Sequence, residues 1–129
     1  MNFRSERIGL ILLVMAFAGP ASAQDVGPAQ EQELRDAKTA IEAAQKGPAA
    51  KHAGAQLKAA QDSVLAAEEA RKQKSGEKFG RAARLARAYA ELAMAVGDLG
   101  EERQNVVATN EAAKNARAEI ERLGSGAKP

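Results

Sequence analysis

Cysteine and tryptophan are absent from the 129 residues, histidine and tyrosine occur once each, and phenylalanine occurs three times. Without cysteine there can be no disulfide, thiol nucleophile or thiolate metal site. Nucleophilic catalysis needs a base beside a hydroxyl or thiol and a third group to orient that base. The lone His52, placed by the sequence in an exposed loop between two helices, has no such companions. No Gly-x-Ser-x-Gly elbow, phosphate-cradling glycine loop or His-Glu-x-x-His pair occurs. Carboxylates fall in adjacent pairs, Glu68-Glu69 and Glu101-Glu102. Neighbours on a helix point about 100° apart and cannot jointly grip an ion or a sugar ring. The expectation is a protein that is not an enzyme, with no catalytic residue, cofactor or metal.

Long apolar runs are missing too. The longest, Ile8–Ala18, spans eleven residues, whereas a membrane-spanning helix needs about twenty. Arg4 and Arg7 precede this run, Gly19-Pro20 breaks it, and Ala21-Ser22-Ala23 supplies a small-x-small site. That three-part layout is a secretory signal, with the cut expected after Ala23. No cysteine follows the cut and no second apolar run follows either. The mature form is therefore expected to carry no lipid or transmembrane anchor and, in a Gram-negative cell, to be periplasmic. Net charge is +2, or +1 once Arg4, Glu6 and Arg7 are removed. So even a balance argues against bulk binding to nucleic acid or membrane, though not against a local patch.

What the chain has is alanine, at 27 of the 106 positions after Ala23, against 15 for Leu, Ile, Val and Phe together. Alanine loses no side-chain entropy in a helix, so helices form readily here while burying little. The fold class expected is all-α: an alanine-rich antiparallel hairpin or three-helix, coiled-coil-like body with a long C-terminal helix. A polar lead-in, 24–30, precedes a helical domain over 31–123, and 124–129 is expected to be a disordered tail. The first helix, about 31–46, carries Leu34, Ala37, Ile41 and Ala44 on one face and ends at Gly47-Pro48. The second, about 53–74, carries Leu57, Ala60, Val64 and Ala67, with Leu65 widening the face, and Ser75-Gly76 ends it. The third, about 77–123, shows an unbroken four-three alternation. One line reads Leu85, Leu92, Leu99, Val106, Ala113, Ile120; the other reads Tyr89, Val96, Arg103, Asn110, Arg117. This is a heptad seam, doubly apolar up to Leu99 and half polar beyond. Gly97 and Gly100 sit at the changeover, each costing about 1 kcal/mol relative to alanine in a helix. They leave a choice between a weakened continuous helix and a break. Because residues 77–98 match the second helix in length, residues 101–123 are left without a partner and would project about 35 Å.

Three stretches carry a resemblance: Ala37-Lys-Thr-Ala-Ile41-Glu-Ala-Ala44, His52-Ala53-Gly-Ala-Gln-Leu57-Lys-Ala-Ala60, and Ala83-Arg-Leu85-Ala86-Arg-Ala88-Tyr-Ala90-Glu-Leu-Ala93. Across about residues 34–95 the chain resembles the bacterial domain-of-unknown-function family 4398, alanine-rich helical envelope proteins. The resemblance implies an envelope protein of helical-hairpin build and transfers no functional residue. Family members often have proline where this chain has Gly54. Many are lipoproteins or carry a downstream peptidoglycan-binding domain of the outer-membrane-protein-A type, and neither is expected here.

Two surfaces could recognise something. The polar end of the seam, Leu99, Arg103, Val106, Asn110, Ala113, Arg117 and Ile120, has the residue mix that fixes register and partner number in coiled coils. It is a candidate for self-association or for docking a helical envelope partner, against the alternative of a single helix supported by pairs such as Glu119–Arg122. The segment from Arg71 to Arg87 holds seven cations, among them Arg71, Lys74, Lys78, Arg81, Arg84 and Arg87, against Glu77, a balance of +6. It could bind an anionic envelope polymer, lipopolysaccharide or wall polymer, or be a solvated face neutralised by Glu68, Glu69 and Glu91. Function is accordingly read as an exported, non-catalytic structural or protein-interaction module of the cell envelope. The alternatives are a binder of anionic envelope material and a small periplasmic chaperone.

Overall fold

The computed structural model describes residues 25–126. The expected signal segment and its cut, and the last three residues of the chain, lie outside the described residues. Four helices follow in order: α1 Pro28–Lys46, α2 Ala49–His52, α3 Gly54–Lys72 and α4 Gly76–Gly126. The all-α class and the long C-terminal helix are as the composition and periodicity imply.

Helix α1 starts three residues before the expected Glu31. Gly27 stands at its N-cap with Pro28 directly after it, where a missing N–H costs nothing and a fixed φ suits the first turn. The Gly27 N–H donates to Gln30 Oε1 at 2.9 Å, while Gln30 Nε2 donates to the Gly76 carbonyl at 3.0 Å. One amide thus caps α1 and ties it to the start of α4. Leu34, Ala37, Ile41 and Ala44 are buried, as their spacing requires.

The stretch read as a loop, 47–52, contains the helical turn α2, and His52 lies on it half-buried instead of exposed in a loop. Ala53 joins α2 to α3: its N–H donates to the Ala49 carbonyl (2.9 Å) and its carbonyl accepts from Leu57 (3.0 Å). On α3, Leu57, Ala60 and Ala67 are buried, but Leu65 points away, 62% exposed, and does not widen the inner face. Ser63 takes a buried position and satisfies its hydroxyl on the Ala59 carbonyl at 2.8 Å. The chain turns at Lys74, which adopts the left-handed conformation (φ 52°), and the Ser75 N–H closes back on the Ala70 carbonyl at 3.0 Å. Gly76, expected as the stop signal, is instead the buried first residue of α4.

Helix α4 runs 51 residues without a break through Gly97 and Gly100. Its N-terminal half is the spine of a three-helix body, with α1 alongside in parallel and α3 antiparallel. The heptad leucines do not face this body. The buried positions are Phe79, Gly80, Ala83, Ala86, Ala90, Ala93 and Gly97, while Leu85, Leu92 and Leu99 are about half exposed. The inner stripe Phe79, Ala83, Ala86, Ala90, Ala93 and Gly97 alternates four and three as the leucine line and its neighbours do, on the other side of the helix. The core stacks in three layers. Leu34, Ala67, Ala70, Phe79 and Ala83 form the first, Ile41, Ala60 and Ala90 the second, and Ala44, Ala49, Ala53, Leu57 and Ala93 the third.

Gly97 and Gly100 are where α2 crosses α4. A Cβ on Gly97 would lie 2.4 Å from the Ala49 nitrogen, and one on Gly100 2.5 Å from His52 Cγ. They are spacing residues and not hinges.

Urea denaturation should separate these roles. Gly97→Ala gains about 1 kcal/mol in helix propensity but must displace α2 backbone, and a net loss of about 2 kcal/mol is expected. Gly54, first residue of α3, has nothing within 4 Å of a Cβ. Gly54→Ala, which meets no neighbour, should stabilise by about 0.5 kcal/mol.

Candidate interaction surface on the C-terminal helix

Every residue from Glu101 to Gly126 is exposed. At 1.5 Å per residue the projection is about 39 Å, so the overhang expected over 101–123 is present and reaches slightly further. Glycines 124 and 126, expected in a disordered tail, continue the helix.

The structure redraws the seam on it. Tyr89 and Val96 are half-buried against the second and third core layers, so the line through Tyr89, Val96, Arg103, Asn110 and Arg117 turns toward the body at its start. The line three residues after each leucine does not. Ala88, Ala95, Glu102, Thr109, Ala116 and Leu123 are exposed throughout. Nine residues separate Phe79 from Ala88, which at about 100° each places them on opposite sides of α4. The outward seam is therefore Leu85-Ala88, Leu92-Ala95, Leu99-Glu102, Val106-Thr109, Ala113-Ala116 and Ile120-Leu123. Leu99, Val106, Ala113 and Ile120 belong to it as expected, whereas Arg103, Asn110 and Arg117 flank it. Its large members are 47–68% exposed. Reading for large apolar residues passed over the second line because alanine is a weak signal; Leu123 was the one strong mark it left.

The basic stretch is dispersed. Arg71 pairs with Glu31 of α1 and lies 5.2 Å over the Phe79 ring. Arg84 reaches Glu33 (3.5 Å), whose Oε2 is shielded from solvent without a hydrogen bond. Arg81 bonds Glu77 (2.9 Å), Arg87 bonds Glu91 (2.8 Å), and Lys72 approaches Glu69 (3.5 Å). The Arg87 guanidinium is pushed above its ordinary value by the Glu91 hydrogen bond and charge. Glu31, Glu33, Glu69 and Glu91 thus bring the local balance from +6 to +2. Lys74 and Lys78 make no ion pair among the described residues. Of the neutralising acids expected, Glu69 and Glu91 do this, while Glu68 turns to Lys38 on α1 at 2.7 Å. At the far end of α4, Arg122 makes the expected fork with Glu119 at 2.6 and 2.9 Å.

Helices α1 and α3 both pack on α4 and splay from each other. The groove between them, about 350 Å³, is lined by Ile41, Val64 and Leu65, with Lys38, Glu42, Gln61 and Glu68 along its edges. It holds no nucleophile and no histidine.

The family description DUF4398, a domain of unknown function, matches residues 32–123. The chain belongs to the DUF4398 family. The DUF4398 match starts inside α1 and ends at Leu123, the last residue of the outward seam, so the projecting half of α4 is part of the family domain. No curated protein and no solved structure matches the chain. Among the described residues no helix is long and apolar enough to cross a membrane.

The Lys38–Glu68 pair, which clips α1 to α3, sets a pH dependence. The hydrogen bond and charge of Lys38 hold the Glu68 carboxyl below its ordinary value. A depressed carboxyl stabilises the fold above its unfolded value and loses that contribution as pH falls through the folded one. The pair is exposed and its effect small. Glu68→Gln should lower the melting temperature by about 1–2 °C at pH 7, and the difference from wild type should vanish once pH drops well below the carboxylate range, about 4.

Proposed function

We propose that this DUF4398 protein is an exported, non-catalytic interaction module of the bacterial cell envelope, acting in the periplasm through the outward face of α4. The observation that carries the proposal is the apolar line that starts on the body at Leu85 and continues to Leu123, where no other helix of the described chain covers it. Exposed apolar surface of that extent is unfavourable in water unless something covers it. Its heptad spacing fits a helix better than a sheet edge or a small molecule. The periplasmic part rests on the tripartite segment ending at Ala23.

The rival uses have less support. Four of the arginines in the Arg71–Arg87 stretch are already engaged by glutamates, which leaves little unmatched charge for an anionic polymer. A chaperone needs a broad, adaptable apolar area, whereas the large exposed apolar side chains, Leu65 and Val107 apart, fall along one stripe.

Fractionation of cells expressing the tagged full chain checks the compartment. Release by osmotic shock with a new N-terminus at Gln24 is expected; an intact Met1 in the cytoplasm would overturn the envelope assignment. In the same cells Leu99→Glu/Val106→Glu should abolish the protein's migration in a larger species on native gels, while Arg81/Arg84/Arg87→Glu should leave it unchanged. The reverse pattern would favour the anionic-ligand use.

A further inference from the structure

The partner of the outward seam follows from the charges beside it. Asp98, Glu102 and Arg103 lie at the point where α4 leaves the body, and none forms an ion pair within the chain among the described residues. The reason is spacing. Asp98 and Arg103 are five residues apart, beyond the three-or-four separation that brings side chains together on one helix. Five is, however, the separation that faces across the seam between two parallel, in-register heptad helices, where each flank position meets the opposite flank of its partner. On the seam as the structure draws it, with Leu85 and Ala88 as core positions, the flanks are Glu91, Asp98, Asn105 and Ala112 on one side and Val96, Arg103, Asn110 and Arg117 on the other. Pairing each with the residue five further on in a second copy sets Glu91 by Val96, Asp98 by Arg103, Asn105 by Asn110 and Ala112 by Arg117. None of these is a like-charge pair. The one buried-position acid, Glu102, lies next to the second copy's Arg103 in the same arrangement. Turned antiparallel about residue 104, the register that overlaps the whole seam, Arg103 would meet its own copy and Glu91 would approach Glu119.

We infer that the occupant is a second copy of this chain, aligned parallel and in register along α4 from Leu85 to Leu123; this rests on the reading of the seam as an interaction surface and specifies its partner. The geometry permits it. The seam lies opposite the face that carries α1 and α3, so two bodies sit back to back without collision. Ala88, Ala95, Ala113 and Ala116 let the two helices approach to about 8 Å. Thirty-nine residues make a strip about 58 Å long and about 10 Å wide, near 600 Å² on each copy. The total of about 1,200 Å² sits at the lower limit for a specific interface, so association in the micromolar range is expected.

The absence of cysteine makes the test clean. Sedimentation of the purified full chain from 5 to 500 µM (about 100-fold in concentration) should show a monomer–dimer equilibrium. Ala113→Cys, mildly oxidised, should link to itself, and urea should prevent the link. Asp98→Lys should weaken the dimer at least tenfold without changing helix content, and Asp98→Lys/Arg103→Glu should restore it. A strict monomer over the whole range would overturn the proposal. So would cross-links that form only in a mixture of Ala95→Cys with Ala113→Cys, since those residues meet only in the antiparallel register. The native-gel assay keeps the two ideas apart. A monomer whose Leu99→Glu/Val106→Glu variant still loses its larger species means the seam serves a different helix. A dimer of the purified chain whose wild type forms no species larger than that dimer in cells means the envelope role is wrong and self-association stands.

Discussion

Close contact between backbones, made possible by methyl and hydrogen side chains, is the constraint from which the rest of this molecule follows. Helix α4 turns Ala83, Ala86, Ala90 and Ala93 inward, with Gly80 and Gly97 at either end of that run. Each such residue buries little apolar surface, but it lets α1 and α3 settle against the spine at short range, where many weak dispersion contacts add up. Larger side chains are used sparingly and sit at the periphery of the stripe. Phe79 is the largest fully buried side chain, and it seals the end where α3 turns into α4, under the Arg71 guanidinium. Such close packing keeps the larger part of the apolar side chains of α4, from Leu85 to Leu123, on its outside.

The same constraint explains the division of labour around α4. A helix whose inner stripe is alanine can keep its leucines for a second purpose. The two stripes share the four-three alternation and differ in side-chain size. Inside, Ala83, Ala86, Ala90, Ala93 and Gly97 let α1 and α3 come close. Outside, Leu85, Leu92, Leu99 and Val106 carry the larger side chains that suit a partner packing along the same repeat. A residue set that looks like one amphipathic pattern is two patterns on opposite faces.

This is also why some features were legible in the sequence and others were not. Leu34, Ala37, Ile41 and Ala44 stand alone on a helix of average length, and their spacing located the inner face of α1 correctly. The Gly47-Pro48 stop and the projecting end of α4 were equally plain, because helix breakers and helix lengths are local properties. Leu85, Leu92 and Leu99 misled because leucine outweighs alanine in any hydrophobic count. Which stripe faces inward depends on how near α1 and α3 can come, a tertiary property. Gly97 and Gly100 were ambiguous for the same reason: propensity registers a cost in each, while the benefit appears only when α2 is laid across them. The basic stretch looked like a patch because Glu31 and Glu33, which meet its arginines, lie forty or more residues away in the chain. The family resemblance was readable over the body alone, and the match to the family extends it through the projecting half.

The unbroken passage of α4 from body to solvent makes one rod belong to two mechanical regimes. Up to Gly97 its backbone hydrogen bonds open only if the bundle opens with them; beyond Gly100 they are held by local helix energetics alone, which are marginal for twenty-odd residues in water. Amide protons on the two halves of this single element should therefore exchange at very different rates, with the boundary falling where α2 straps across. A force or a protease acting on the outer half would be felt as loss of a lever arm, while the bundle at its base stayed folded.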